Sequence, residues 1–513
     1  MAPRTSTNIE YDQQVDVPKV PLMNELSSSQ SSLLPLQGQS DDVEILNPHH
    51  DCSSRRSTVL PATFNLVATI VGGGILSVPL AFQKCGLVLT TALMIVSALG
   101  TDFSLYILCS SGRRTGATSY ADVCRRAYGP GLELFLTLVL FVFLMFVMVA
   151  YMVLVRDIFT PIVSPLATSF MQGEPDTAAV GDYVLLGIVI AMIPFFLQKD
   201  LHALRYNCYV GFVSISVLCV AIAYRAWENY PASSSNGSLN IKMFPSSFVD
   251  VLFAFPIPIL SFMCQFNVLG IQGSLVNPTR QRIRQIIDGA VAASFVLTFS
   301  FGLGGYLYAG DDTNGNILLN FEPGDRVIIV GKVGCGVTIT LAMAMILLPC
   351  RETLLALGPQ LRAWKQNNNN EISDMKGTED EEIASIQSGT SSGYGAVSEE
   401  MPLITEAMSG YHHVEAASRL TEILTHVFST LIIASICYAC AVAAPGVAVV
   451  WSICGSSLAF IIAFILPSIC YIRIRASKKG HGNPRLLSAW ALLIFSICSA
   501  VLCSVQTIWR FFN

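Results

Sequence analysis

The part of this chain whose backbone could do chemistry reads "VGGGILSVP", Val71 to Pro79, inside one of its most apolar stretches. Gly72, Gly73, Gly74 and Pro79 together cost a helix roughly 6 kcal/mol against alanine. A helix that comes apart there exposes N–H and C=O groups that lipid cannot satisfy and that persist only facing protein or a wet cavity. A zwitterionic solute suits such a site. The half-helix beginning near Gly74 aims its positive dipole end at a carboxylate, while free carbonyls accept from an ammonium or hold a cation. Glycine also permits close backbone approach. The alternative is that the glycines only allow tight helix packing. A second interruption is predicted in "VLFAFPIPILSFMCQFNVLG", where Pro256 and Pro258 remove two amide hydrogens, either as a break or as simple kinks.

Ionisable residues inside apolar runs are functional candidates by default, because burial there is expensive. Asp102 in "ALGTDFSLYIL" is the deepest carboxylate and could take up and release a proton, or pair with a basic partner at its end of the span. Lys332 lies about a turn and a half inside a boundary, where its stem can snorkel. His426, one turn after Glu422, could sense pH or form a solvated pair. No Asp, His, Cys or Ser cluster converges at membrane depth, so no catalytic residue and no metal site is assigned. Most of the 15 cysteines fall in apolar runs, where Cys packs as a small hydrophobe. The same holds for Cys437 and Cys440, whose redox-like spacing has no second pair.

The elements that must position these residues follow from composition. With 513 residues, 52% hydrophobic, only 13% charged and a mean hydropathy of +0.57, the chain is a polytopic, all-α membrane protein. The net charge of −5 implies no nucleic-acid surface, and no P-loop appears. About eleven apolar runs centre near Gly73, Val96, Phe143, Ile190, Ser216, Ile259, Thr298, Thr340, Ile433, Phe460 and Phe495. Basic residues collect in alternate connections: Arg113, Arg114, Arg125 and Arg126; Lys199 and Arg205; Arg280, Arg282 and Arg284; and Arg473 to Arg485. The positive-inside rule then puts the N-terminus in the cytosol and the C-terminus opposite. The sequon Asn236-Gly237-Ser238 falls on the non-cytosolic side, as glycosylation requires.

Residues 1–57 read as a disordered tail without a cleavable signal peptide, and the first apolar helix as the insertion signal. Residues 58–361 hold spans one to eight, 362–417 a disordered acidic cytosolic loop, and 418–513 spans nine to eleven. Within the loop, Glu399 to Ile404 ("EEMPLI") has the spacing of a dileucine signal for a sorting adaptor. The interruptions fall in spans one and six, five apart. An odd shift reverses direction across the membrane, which is the pattern of an inverted five-plus-five repeat.

"FNLVATIVGGGILSVPLAF" (Phe64 to Phe82), "FPIPILSFMCQFNVLGIQGSLVNPTRQRI" (Phe255 to Ile283), "ILLPCRETL" (Ile346 to Leu354) and "TSYADVCRRAYGPG" (Thr118 to Gly131) resemble the amino acid/auxin permease family, its sodium-coupled neutral and vacuolar branches in particular. The resemblance implies a fold like that of the bacterial leucine transporter, ten spans in two inverted repeats plus one C-terminal helix, and free amino acids as substrates. It implies that Val71, Gly72, Gly73, Gly74 and Ile75 bind the carboxylate and that Phe255, Pro256 and Ile257 line the amino and side-chain region. It places a coupling-ion site between spans one and eight, where Thr340 matches a sodium ligand and Asn65 and Thr338 are further candidates; Asp102, taken from its depth in span two, is the coupling-ion candidate outside that site. Sodium-coupled members carry an Asn three residues beyond Asn65, and this chain has Ala68. Losing an oxygen weakens a hard-cation site, so proton coupling gains over sodium. The function expected is secondary active transport of amino acids without a cofactor beyond the coupling ion, in a vacuolar, endolysosomal or plasma membrane. The reading from another class is a membrane amino-acid sensor signalling through its tail and loop.

Overall fold

The computed structural model describes residue 55 and residues 57–170, 177–198, 206–235, 241–322, 324–384, 410–476 and 484–512. Asn236 and the string Glu399 to Ile404 lie outside the described residues. Those described form helices, turns and one isolated bridge, without a sheet.

The first crossing is α1 (Val59–Ile70), a gap at Val71 and Gly72, a 3₁₀ turn (Gly73–Ser77) and the start of α2 (Val78–Thr115). The stretch Gly73–Thr115 has 43 residues, about 64 Å if straight and twice a bilayer core. It is folded at Gly86, which has φ 74° and ψ 170°. The Thr90 hydroxyl donates to Ala81 O at 3.0 Å, impossible for residues nine apart in one straight helix. Gly86 is therefore the hairpin between crossings one and two. A side chain there would meet the backbone of Met243 and Phe244 at 2.7 Å.

α3 (Tyr120–Tyr128) is a short amphipathic helix capped by the Ser119 side chain. The next crossings are α4 (Pro130–Phe170), α5 (Thr177–Phe196) and α6 (Asn207–Ser235). The sixth is in three pieces, α7 (Phe248–Ala254), α8 (Pro256–Ser261) and α9 (Gln265–Ser274). Then come α10 (Arg280–Ala309), α11 (Arg326–Ala384), α12 (Gly410–Ala443), α13 (Val447–Cys454) continuing through π turns into α14 (Leu466–Ala476), and α15 (Pro484–Phe512). With Gly86 counted as a turn, the described residues make eleven crossings. The boundary expected at residue 362 differs: α11 runs on to Ala384 and α12 begins at Gly410.

Alternate connections gather at opposite ends. At one end the guanidiniums of Arg280, Arg284 and Arg485 all lie within 6 Å of the Tyr106 ring, at 5.8, 5.5 and 5.6 Å. At the other, Arg225 pairs with Asp325 at 2.7 Å, Lys242 with Asp311 at 2.7 Å, and Arg510 sits 4.2 Å over Phe253. α15 thus runs from the arginine-rich end, at Arg485, to the opposite end, at Arg510.

The two interrupted crossings lie side by side and antiparallel. Ser57, just before α1, bonds Ser274 O at 3.0 Å at the end of α9 and accepts from Val276 N at 2.9 Å. Near the gaps, Asn267 Nδ2 donates to Thr69 Oγ1 at 2.8 Å.

Candidate functional site

The break in the first crossing falls where the glycines predict it. Val71 N still reaches Val67 O at 2.8 Å, but Gly73 N donates to the Tyr151 hydroxyl of α4 at 3.4 Å instead of to a carbonyl one turn back. A Cβ on Gly73 would meet Tyr151 Cε1 at 2.9 Å and Leu154 Cδ1 at 3.0 Å, and one on Gly72 the Tyr151 hydroxyl at 3.2 Å. Gly72 and Gly73 are therefore required by the close approach of Tyr151. Gly74 has more room, its nearest neighbour being Ser261 Oγ at 3.6 Å.

The sixth crossing breaks elsewhere than its prolines predict. Phe255 has helical φ −58° and ψ −37°, and its N–H reaches Val251 O at 2.9 Å. Pro256 and Pro258 sit in the first turn of α8, where a missing N–H costs least, so they kink the helix without opening it. The gap is at Phe262 to Cys264, where Cys264 has φ −149° and ψ 14° and donates its N–H to the Gln265 side chain at 3.0 Å.

Between the two breaks lies a cavity of about 330 Å³. Val71, Gly72, Gly73 and Gly74 line it, whereas Ile75 is buried in the core and Leu76 faces the cavity instead. From the sixth crossing it is lined by Leu260, Ser261, Met263 and Phe266, not by Phe255, Pro256 or Ile257. Phe255 packs edge-on against Phe460 and Phe495 at 5.8 and 6.3 Å and borders a separate apolar recess. The prolines shift attention one and a half turns too early. The better signal in the sequence is the polar string around the real gap, Ser261, Gln265 and Asn267.

Thr338 and Thr340, two apart on α11, face opposite ways. Thr338 lines the cavity and Thr340 borders Phe159, Val184 and Ile188 on the far side. Asn65 lies on α1 outside the lining, its carbonyl accepting from Thr69 Oγ1 at 2.9 Å, while Ala68 lines it. Asp102 is remote from the cavity. It pairs with Arg284 at 2.9 Å, and Arg284 pairs in turn with Asp288 at 2.8 Å. Lys332 does not snorkel to a boundary: it is 3% exposed and donates to Leu318 O at 3.1 Å. Cys437 is buried with its sulfur 3.7 Å from Met145 Sδ, and among the described residues no three His, Cys, Asp or Glu could hold a metal ion.

Three lining residues carry no motif and are missed by pattern alone: Tyr151, Asn207 and Trp451. Each is a lone polar aromatic or amide at the middle or edge of an apolar run, a weak signal but a legible one. The Tyr151 and Trp451 rings meet edge to face, 6.4 Å apart and at 85°. Among the described residues, none of the lining side chains is charged.

A plug of loop is tied down beyond the break, on the side away from the arginines. The Ser77 hydroxyl bonds Gly315 O at 2.7 Å, Lys332 holds Leu318 O, and Asn316 reaches Asp157 Oδ2 of α4 at 3.4 Å. The loop between α10 and α11 thus sits across the end opposite the arginines. Along α11 the lining runs from Cys335 to Pro349, toward the arginine-rich end, where Phe266 is 42% exposed.

The fold and the site define an all-helical, polytopic membrane protein with a solute-sized cavity between two interrupted helices. Residues 55–509 match the model of the family described as transmembrane amino acid transporter protein, and the chain belongs to that family, one of transporters and not of enzymes. It is 26% identical over 301 residues to vacuolar amino acid transporter 7 of Saccharomyces cerevisiae, covering 58% of each chain. It is 24% identical over 328 residues to "Putative sodium-coupled neutral amino acid transporter 11" of Bos taurus, covering 63% of this chain and 69% of the relative. The matched region thus spans somewhat over half the length of the yeast relative. A solved structure of a Na+-coupled sialic acid symporter in a substrate-bound, outward-open state covers 91% of each chain with 12% identity and a TM-score of 0.45.

Proposed function

We propose that the chain is a secondary active transporter of neutral amino acids working by alternating access. The observation that carries this is the cavity of about 330 Å³ at the Val71–Gly74 break, among whose described lining residues no side chain is charged. Its volume is at the small end for ligand sites. A zwitterion satisfies bare peptide groups at both of its ends, whereas an extra side-chain charge would be left unpaired at that depth. The yeast and bovine relatives are named for amino acids, and the bovine one for neutral amino acids.

Closure at one end and an extended lining toward the other fit one stage of an alternating-access cycle. With the arginine-rich end taken as cytosolic, the conformation is inward-facing, the N-terminus is cytosolic, and the plug lies on the lumenal or external side. A vacuolar or endolysosomal membrane is the compartment proposed, in line with the yeast relative's name. We take the driving ion to be the proton. Ala68 lines the cavity without an oxygen, and of the two candidate threonines only Thr338 lines it, its hydroxyl donating back to Gly334 O and Cys335 O.

The test is uptake of a mixed amino-acid panel into proteoliposomes, with sodium replaced by choline at two pH values. Neutral amino acids should enter in choline, faster with an inward proton gradient. Binding without flux would mark a receptor and defeat the transport reading; collapse in choline at both pH values would replace proton by sodium.

A further inference from the structure

Resting on the transport reading, we propose that the two charged ends of the substrate are recognised by side chains outside the interrupted helices. The indole N–H of Trp451, on α13, donates to the carboxylate, and the amide oxygen of Asn207, on α6, accepts from the ammonium.

Trp451 is 2% exposed, lines the cavity, and its Nε1 has no hydrogen-bond partner. An indole offers one polar group, a donor, and buried donors are almost always paired. The ring stands edge-on to Tyr151. The hydroxyl of Tyr151 accepts from Gly73 N–H, which leaves its own proton to give. The Gly72, Gly73 and Ile75 amides are already bonded, so the indole N–H, the tyrosine O–H and the Gly74 amide are the donors left around this region of the cavity, and a carboxylate requires donors of that kind.

Asn207 supplies the opposite polarity. Its Nδ2 donates to Thr338 O at 3.0 Å. A peptide carbonyl only accepts, so this bond fixes which way the amide is turned. The oxygen Oδ1 is left buried and without a partner in a residue 9% exposed that lines the same cavity. A fixed, unpaired acceptor among apolar walls calls for a cationic donor, and the substrate brings one.

The experiment measures affinity on the purified full-length protein in sodium-free nanodiscs. The probe is the radiolabelled amino acid taken up best from the panel. Its competitors are the corresponding primary amine, which lacks the carboxylate, and the corresponding carboxylic acid, which lacks the ammonium. Trp451→Phe keeps the ring and deletes the N–H. It should weaken the amino acid and the acid on the order of tenfold and leave the amine within about twofold. Its unliganded melting midpoint should not fall, because the variant removes a buried unpaired donor. Asn207→Ala should give the mirror pattern, weakening the amino acid and the amine and sparing the acid. Affinity, unlike capacity, does not depend on the fraction of protein that folds. Equal weakening of all three ligands, or none, overturns the assignment. So does a loss at Asn207→Ala that appears only when sodium is restored, since the oxygen would then serve a metal cation. A wild-type protein that transports while both variants bind normally sinks this inference alone; one that neither binds nor moves any amino acid sinks the transport reading with it.

Discussion

In the first crossing the gap is made of glycine, borders the cavity, and is held from outside: Tyr151 of α4 takes the Gly73 amide, and the plug loop takes the Ser77 hydroxyl. In the sixth, the gap is made of Phe262, Met263 and Cys264, of which only Met263 lines the cavity, and it is held from within by the Gln265 side chain on the Cys264 amide. The first break is therefore coupled to its surroundings and the second is self-contained. A helix opened toward a cavity requires neighbours to fill its unmet bonds, and those neighbours can withdraw when the protein changes shape. A gap whose buried amide is bonded by the very next side chain keeps its shape wherever it travels.

The largest effect expected from this contrast separates three glycines that look alike in the sequence. Gly73→Ala places a methyl 2.9 Å from the Tyr151 ring and should cut amino-acid uptake more than about tenfold, since neither Tyr151 nor Leu154 can move without disturbing the core. Gly72→Ala, at 3.2 Å from a single hydroxyl, should cost less. Gly74→Ala meets nothing closer than 3.6 Å and should cost no more than about threefold, through lost cavity volume. Uptake assays on the three variants, normalised to surface protein, decide it. An equal loss at all three would mean that the glycines serve helix packing and not the approach of Tyr151.

Next in size is a reversal in the sixth crossing. Gln265→Leu leaves the buried Cys264 amide unpaired and should destabilise by about 1–3 kcal/mol, read as a lowered thermal midpoint in detergent. Pro256→Ala, in the first turn of α8, leaves no amide unpaired and should lower the midpoint less, costing about 1 kcal/mol for the buried ring methylenes it removes. If the proline variant proved the more damaging, the gap would lie where the prolines are.

This pair also shows what was legible in the sequence. Eleven crossings, their alternation and the first break follow from hydropathy, the placement of arginines and three adjacent glycines, all local signals. The sixth break is misplaced because proline reports a missing donor, not a missing partner. In the first turn of a helix the donor would have gone unused in any case. Tyr151, Asn207 and Trp451 come from crossings three, five and ten, and nothing local in any of them says that they meet. Asp102 reads either as a proton carrier or as paired with a basic residue at its end of the span, and the structure gives it such a partner. Its depth is visible, but its partner Arg284 lies 182 residues away.

A smaller effect sharpens the claim that the first break depends on the plug. Arg225 clamps Asp325 through two hydrogen bonds, at 2.7 and 2.9 Å, at the entry to α11. This holds the Asp325 carboxyl below the usual carboxylate range. A carboxylate with a lowered folded value contributes stability that is present above its unfolded value and is lost only as pH falls through the folded one. Asp325→Asn should therefore lower the thermal midpoint by on the order of 2 °C. The deficit should be equal at pH 7 and pH 5 and should shrink only below about pH 4. The plug would then stay closed in an acidic lumen, with its opening left to the substrate and the coupling ion. A deficit already shrinking between pH 7 and 5 would show that this pair senses the compartment.

The smallest effect expected is at Thr340, and its smallness is what makes it informative. Family resemblance places the ion ligand there, whereas the helix turns Thr340 toward Phe159 and Val184, its hydroxyl donating to Gly336 O at 2.8 Å. Two residues along a helix is about 200° of rotation, so Thr338 and Thr340 cannot both face the first break. Thr340→Val preserves shape and removes only a hydroxyl already bonded within its own helix. Uptake and its ion dependence should stay within about twofold of wild type. Thr338→Val, at the cavity wall and beside Asn207, should shift the apparent affinity for whichever ion drives transport. Were Thr340→Val instead to abolish ion dependence, α11 would have to rotate by roughly half a turn during the cycle, and the crossing beside the first break would be a moving part rather than the fixed wall against which that break opens.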